Sequence, residues 1–349
     1  GYTVDVPYFW AIEDDKDLTI SPIISTEQGI NLTGEYRQLF TDGQIRIAGS
    51  GTIADREESG GIVAKDRFRG HVDAEGQFEI DKTWRWGFDV DRTSDDTYLR
   101  AYGFNSDRTL TSTAYMEGLK ARNYAAVRGF AYQGLRESDD NDEMPIVVPL
   151  AEYDFVSEPN IGLPGGFFTI DSNVMVLNRI EGRESRRLSV VSGYHLPFTS
   201  PIGDIYEFTA QVQTDGYWTH GVVPGSDAVD PSDAPGSDTT GRIFPQFAVK
   251  WRYPWVRQDG SFRQVIEPIA QAVFSPNGSN PGEIPNEDSQ DFEFDDTNLF
   301  KLNRFAGRDR VDSGTRFDYG IKWTGSFGDS GSAGAFIGQS YRLKENEVF

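Results

Sequence analysis

Hydrophobic and polar side chains alternate along this chain with a period of two. In residues 2–12 the even positions are Tyr2, Val4, Val6, Tyr8, Trp10 and Ile12, and the odd ones are Thr3, Asp5, Pro7, Phe9 and Ala11. Such a period puts the two sets on opposite faces of a strand. Trp84, Trp86, Phe88 and Val90 alternate in the same way with Arg85, Gly87, Asp89 and Asp91. Phe317, Tyr319, Ile321 and Trp323 alternate with Arg316, Asp318, Gly320 and Lys322. Nowhere does a helical stripe at i, i+3, i+4 and i+7 persist. The pattern predicts about 16 strands: 2–12, 17–26, 31–41, 44–54, 66–80, 84–92, 109–119, 124–135, 145–157, 166–179, 186–197, 204–216, 242–255, 263–274, 311–324 and 333–343.

The links between these strands sort by length. Short ones fall at 13–16, 42–43, 81–83, 120–123, 198–203 and 256–262, and long ones at 55–65, 93–108, 136–144, 217–241 and 275–310. An antiparallel meander through a membrane alternates links in this way, with tight turns on one side and long loops on the other. The expected fold is therefore all-β, an antiparallel transmembrane β-barrel.

Composition narrows the function. There are 33 Lys and Arg against 55 Asp and Glu, a net charge of −22, which argues against a nucleic-acid partner. Without Cys there are no disulfides or thiolate ligands in this stretch, and three scattered His make a metal or triad chemistry improbable. No metal, cofactor or enzymatic role is expected. The long loops at 222–241 and 275–296 are acidic, with Asp227, Asp230, Asp233 and Asp238 in one and Glu283, Glu287, Asp288, Asp291, Glu293, Asp295 and Asp296 in the other. They read as solvated loops, and contact with lipid phosphates through them would need divalent ions. A secreted soluble β protein that binds glycans would also alternate, but its inner face should not carry Arg67, Arg69, His71 and Asp73 in one strand.

Several blocks are more specific than alternation. Val6-Pro7-Tyr8-Phe9-Trp10-Ala11-Ile12, then Ile243-Phe244-Pro245-Gln246-Phe247, Ile266-Glu267-Pro268 and Leu299-Phe300 with Asn303-Arg304-Phe305-Ala306-Gly307-Arg308-Asp309-Arg310-Val311 follow one another. Their succession resembles the LptD family of LPS-assembly proteins, also called organic solvent tolerance proteins. The resemblance implies a barrel of about 26 strands in the Gram-negative outer membrane, preceded by a periplasmic jellyroll. Residues 1–349 would be part of that barrel, with the jellyroll, the first strand and the closing strands absent. The charged run Glu345-Asn346-Glu347-Val348-Phe349 fits a truncation better than a closing strand.

The resemblance also implies a task. Lipopolysaccharide arrives from the periplasmic bridge protein LptA through the jellyroll, crosses a hydrophilic lumen plugged by the lipoprotein LptE, and leaves through a lateral gate into the outer leaflet. Pro7 matches a gate-proximal proline, with Pro22 a weaker candidate in the next strand. Arg67, Arg69, His71, Asp73, Arg85, Asp89 and Asp91 are expected to face the lumen. Arg183, Arg186 and Arg187, at a long-loop end, could meet lipid phosphates. The alternative on strand count is a general diffusion porin of 16 strands.

Overall fold

The computed structural model describes residues 2–26, 29–58, 61–221, 237–289, 295–328 and 331–344. Within them the chain is all-β and antiparallel, the strand set of a partial β-barrel. The strands are β1 (Thr3–Asp5), β2 (Tyr8–Glu13), β3 (Lys16–Ser25), β4 (Gly29–Phe40), β5 (Gly43–Glu58) and β6 (Gly61–Glu79). They continue with β7 (Trp84–Thr93), β8 (Thr109–Lys120), β9 (Asn123–Gly134), β10 (Ile146–Val156), β11 (Phe167–Asn178) and β12 (Glu184–Thr199). The last six are β13 (Ile205–His220), β14 (Ser237–Arg252), β15 (Trp255–Asp259), β16 (Phe262–Phe274), β17 (Arg316–Phe327) and β18 (Ser332–Arg342). A short helix, α1 (Tyr98–Ala101), lies in the loop after β7. No helix among the described residues is long and apolar enough to cross a membrane, which leaves crossing to strands. Most strands exceed the ~9–11 residues a tilted strand needs to span a bilayer.

The count rises from 16 to 18 because prolines divide two of the expected strands. Pro7 separates β1 from β2, and Pro254 separates β14 from β15. Proline cannot donate to a ladder, so pairing lapses where its nitrogen should contribute. The expected long link at 55–65 is instead a continuation of β5 and β6. Because β1 and β2 share one partner, as do β14 and β15, the number of passes stays at 16.

The chain divides into two compact units. The first comprises Gly1–Glu152, Val174–Arg186 and Thr219–Ser237; the second comprises Tyr153–Asn173, Arg187–Trp218 and Asp238–Phe349. In the first, β1 and β2 both pair with β3, and every strand from β3 to β9 pairs with its successor. In the second, β14 and β15 both pair with β16, followed by β17 and β18.

Each unit has an exposed apolar face, which is the reverse of a water-soluble design. In the first, Ile47, Ile53, Phe68, Val72, Trp86, Met116 and Val127 all lie open. In the second, Phe168, Ile243, Phe247, Phe317, Tyr319 and Ile321 do the same. The buried positions are largely polar and include Arg69, Arg187, Arg242, Arg304 and Arg316. Of the acidic loop residues, Asp227, Asp230, Asp233, Asp291 and Glu293 lie outside the described residues, as does the run to Phe349, whereas Asp238 belongs to β14.

Candidate functional site: a polar strand face and a loop-borne ion-pair network

In the first unit, alternation gathers charge on one face. Arg37 pairs with Asp17 at 3.0 Å, and Arg46 reaches Glu35 and Asp73 at 2.8 Å each. The ladder thus crosses from β3 to β6. Further along, Arg85 meets Glu117 at 2.5 Å, and the Tyr124 hydroxyl donates to the same carboxylate. Asp73 stands opposite Asp91 in register, and Glu75 opposite Asp89. Like charges facing each other across a ladder are unfavourable without water or a cation between them. A cavity of about 790 Å3 opens on this face at the short-turn end, where Phe9, Asp17, Arg37, Arg46, Glu75 and Asp89 line it.

The loop 94–108 folds onto the same face. Arg69 grips the Asp95 carboxylate in a bidentate pair at 2.8 and 2.9 Å, and both are buried. Tyr98 is fully buried among Leu99, Leu110 and Leu135. Its hydroxyl accepts from Asn31 Nδ2 at 2.7 Å and lies 2.5 Å from Ser50 Oγ, which in turn lies 2.6 Å from His71 Nδ1. Burial pushes the Asp95 carboxyl up, but bonds from Arg69, Ser94 and Thr97 outweigh it and hold it at about 2. Because the folded value lies below the ordinary one near 4, the clamp stabilises at every pH above about 4. It weakens only as pH falls towards 2. Asp95→Asn is expected to release the loop and make Arg100 and Arg108 trypsin-sensitive at neutral pH; unchanged resistance would show that Tyr98 alone suffices.

The second unit carries a denser arrangement that sequence reading missed. Arg187 on β12 binds Asp309 at 2.7 Å, Asp288 at 2.6 Å and Asn173 at 2.8 Å. Asp309 and Asp288 belong to the loop 275–315, and their remaining oxygens accept backbone N–H groups of residues 287, 288, 308 and 309. Burial pushes the Asp288 carboxyl up, yet the Arg187 charge and those N–H groups leave it below its ordinary value. Arg242 binds Asp215 at 2.6 Å and donates to the carbonyls of Arg308 and Asp309. Arg304 and Arg316 share Asp318, while Arg316 and Arg342 share Asp312. Five arginines (187, 242, 304, 316, 342) thus meet five aspartates (215, 288, 309, 312, 318), and the set is neutral. A buried charge is tolerable only when paired and hydrogen-bonded; the loop supplies Asp288, Asp309 and Asp312, and the strands supply Asp215 and Asp318.

The residues singled out from sequence fall into several groups. Arg67, Arg69, His71 and Asp73 share the odd positions of β6, but only Asp73 joins the charge ladder, and Arg67 is exposed. Arg69 and His71 hold the loop 94–108 instead. Arg186 and Arg187 point to opposite faces of β12, and Arg187 is 2% exposed with its guanidinium engaged, so it is not available to a lipid phosphate. Arg186 is exposed, and Arg183 donates to Thr219. Pro7 and Pro22 nearly face each other: the register places Val6 opposite Pro22, and Val6 N–H donates to the Pro22 carbonyl. Pro22 therefore withholds a donor from the β1/β2–β3 ladder. Pro7 withholds one from the opposite edge, because adjacent residues of a strand direct their backbone groups to opposite sides.

Comparison with known proteins agrees with this architecture. A family profile described as LptD, LPS transport system D, matches residues 67–349. The chain belongs to the LptD family. It is 26% identical over 334 residues to the LPS-assembly protein LptD of Idiomarina loihiensis, covering 92% of this chain and 41% of that protein. With the protein of the same name from a Polaromonas species it shares 26% identity over 372 residues, or 99% of this chain and 42% of the relative. The Nitrosococcus oceani protein of that name is 24% identical over 365 residues, covering 100% and 46%. The chain therefore spans less than half the length of these LptD relatives. LptD proteins are outer-membrane components of Gram-negative bacteria, and an exposed apolar face on membrane-length strands suits that location.

Proposed function

We propose that this chain forms part of the wall of an outer-membrane translocon that delivers lipopolysaccharide to the outer leaflet. The observation that carries this reading is the pairing of a charged face with an exposed apolar face in the same strands of an LptD-family chain. Lipopolysaccharide has the same division. Its phosphorylated sugars need a wet path, while its acyl chains need lipid. Arg46, Asp73, Arg85, Asp89 and Asp91 would line the wet path, and Arg67 lies on the same side.

Pro7 and Pro22 would loosen the strands beside a lateral gate between the barrel's first and last strands, Pro7 at the edge away from β3 and Pro22 at the β1/β2–β3 ladder, since each proline removes a donor. Arg183 and Arg186, at the long-loop end, are suited to phosphates of the outer-leaflet lipid. The lipoprotein LptE would occupy the lumen, and the bridge protein LptA would deliver substrate through a jellyroll outside this chain. The chemistry is transfer without bond making, so no catalytic residue is assigned.

Depleting the parent protein in its host is expected to trap lipopolysaccharide in the periplasm and inner membrane. Re-expression should restore it to the cell surface, as read by surface labelling of the sugar. Normal surface display during depletion would overturn the reading. A diffusion porin would instead give loss of small-solute uptake with lipopolysaccharide intact.

A further inference from the structure

The link between β10 and β11 differs from the other short turns. It lies on the tight-turn side yet carries no charge from Pro159 to Gly166, reading Pro-Asn-Ile-Gly-Leu-Pro-Gly-Gly. The turn after β2, by contrast, holds Asp14 and Asp15, the one after β12 holds Asp204, and β15 ends on Asp259 beside its turn. This link is also tightly folded. Ile161 N–H donates to the Gly166 carbonyl and Gly166 N–H to the Leu163 carbonyl, both at 2.9 Å, and Gly165 N–H donates to Asn160 Oδ1 at 2.8 Å.

Its direction is set by Tyr194. The Tyr194 hydroxyl donates to the Ile161 carbonyl at 2.9 Å and accepts from Leu163 N–H at 3.2 Å. The Tyr194 ring packs on Phe168, on the exposed apolar face, with centroids 4.9 Å apart. The neighbouring His195 takes the other face, where it meets Thr169 and Thr209. The link is thus drawn outward onto the apolar face, leaving Ile161 and Leu163 open at 40% and 53% exposure. The next short turn repeats the device: Tyr253 donates to the Ile202 carbonyl at 2.8 Å, and Ile202 is 71% exposed. Aromatic rings in the apolar belt with polar tips on turn backbone are the pattern of a membrane interface.

We propose that residues 159–166 form a membrane-inserted foot, with Ile161 and Leu163 among the upper acyl chains of the glycerophospholipid leaflet on the short-turn side. The occupant is lipid because the foot continues the same exposed face through Phe168, Ile170 and Phe198, with Glu158 at the start of the link its one charged residue. The inference needs the outer-membrane location but not the lipopolysaccharide reading, so either can fail alone.

The test uses the full-length parent in nanodiscs of phosphatidylethanolamine and phosphatidylglycerol, with nitroxide labels on Leu163→Cys, Ile170→Cys and Asp259→Cys. Unsubstituted protein gives the labelling background. The ratio of oxygen to nickel-chelate accessibility at residue 163 should match residue 170 and exceed residue 259 several-fold. A ratio equal to that at 259 would overturn the proposal, as would shielding from both reagents, which would mean a protein partner covers the loop. A Cβ on Gly166 would sit 2.1 Å from the Tyr194 hydroxyl. Gly166→Ala should therefore move the 163 label towards nickel access and leave the 170 label unchanged. No change at 163 would contradict anchoring by Tyr194.

Discussion

Arg187→Ala is expected to destabilise the solubilised parent protein by about 3–5 kcal/mol, the usual result of removing one partner from a buried ion pair. Asp309 is fully buried and would keep its charge without the guanidinium that now lies 2.7 Å away. Asp288, which is partly exposed, can recover some hydration and should contribute less. Neutralising this pair, as in Arg187→Met with Asp309→Asn, leaves only the partly exposed Asp288 without its guanidinium and should regain much of the loss. Unfolding in denaturant, followed by the mobility shift of folded barrels, reads both effects. Equal stability of Arg187→Ala and the natural protein would show that the loop 275–315 is held by something other than this network.

Pro22→Ala is expected to tighten the β1/β2–β3 ladder beside the proposed gate. It returns an N–H opposite the Val6 carbonyl, and a typical backbone hydrogen bond contributes about 0.5–1.5 kcal/mol net. At about 1 kcal/mol the open fraction of the ladder falls roughly fivefold. If loosening of this ladder limits gate opening and export, the rate at which new lipopolysaccharide reaches the surface should fall by a similar factor. Pro7→Ala restores a donor on the other edge, so the two substitutions should combine rather than duplicate each other. Unchanged or faster surface arrival at normal protein level would remove the prolines from the gate.

Strand identity was legible because a period of two is local and survives in one sequence. Trp84 to Val90 and Phe317 to Trp323 needed no partner to be read correctly. The division at Pro254 was missed because Tyr253 and Trp255 keep the alternation on both sides of it. The ion-pair network was hidden for a different reason. Arg187 and Asp309 are 122 residues apart, and acidic residues in a long loop look the same whether solvated or buried. One signal was available: Arg187 shares its parity with Ser185 and Ser189, both fully buried, rather than with exposed Leu188. Parity points Arg187 to the inner face, whereas the expectation of lipid phosphates rested on its position at a long-loop end.

The central claim is that the charged face of β3 to β7 is a path for lipopolysaccharide. Photo-crosslinking side chains placed at Arg46 and Asp91, with Val72 and Val90 as controls on the apolar face, test it most directly in living cells. The account predicts lipopolysaccharide adducts at 46 and 91 that vanish when supply from the inner membrane is cut, and adducts at 72 and 90 that persist from resident lipid. Absence of adducts at 46 and 91 during active supply, with the protein assembled normally, would contradict it.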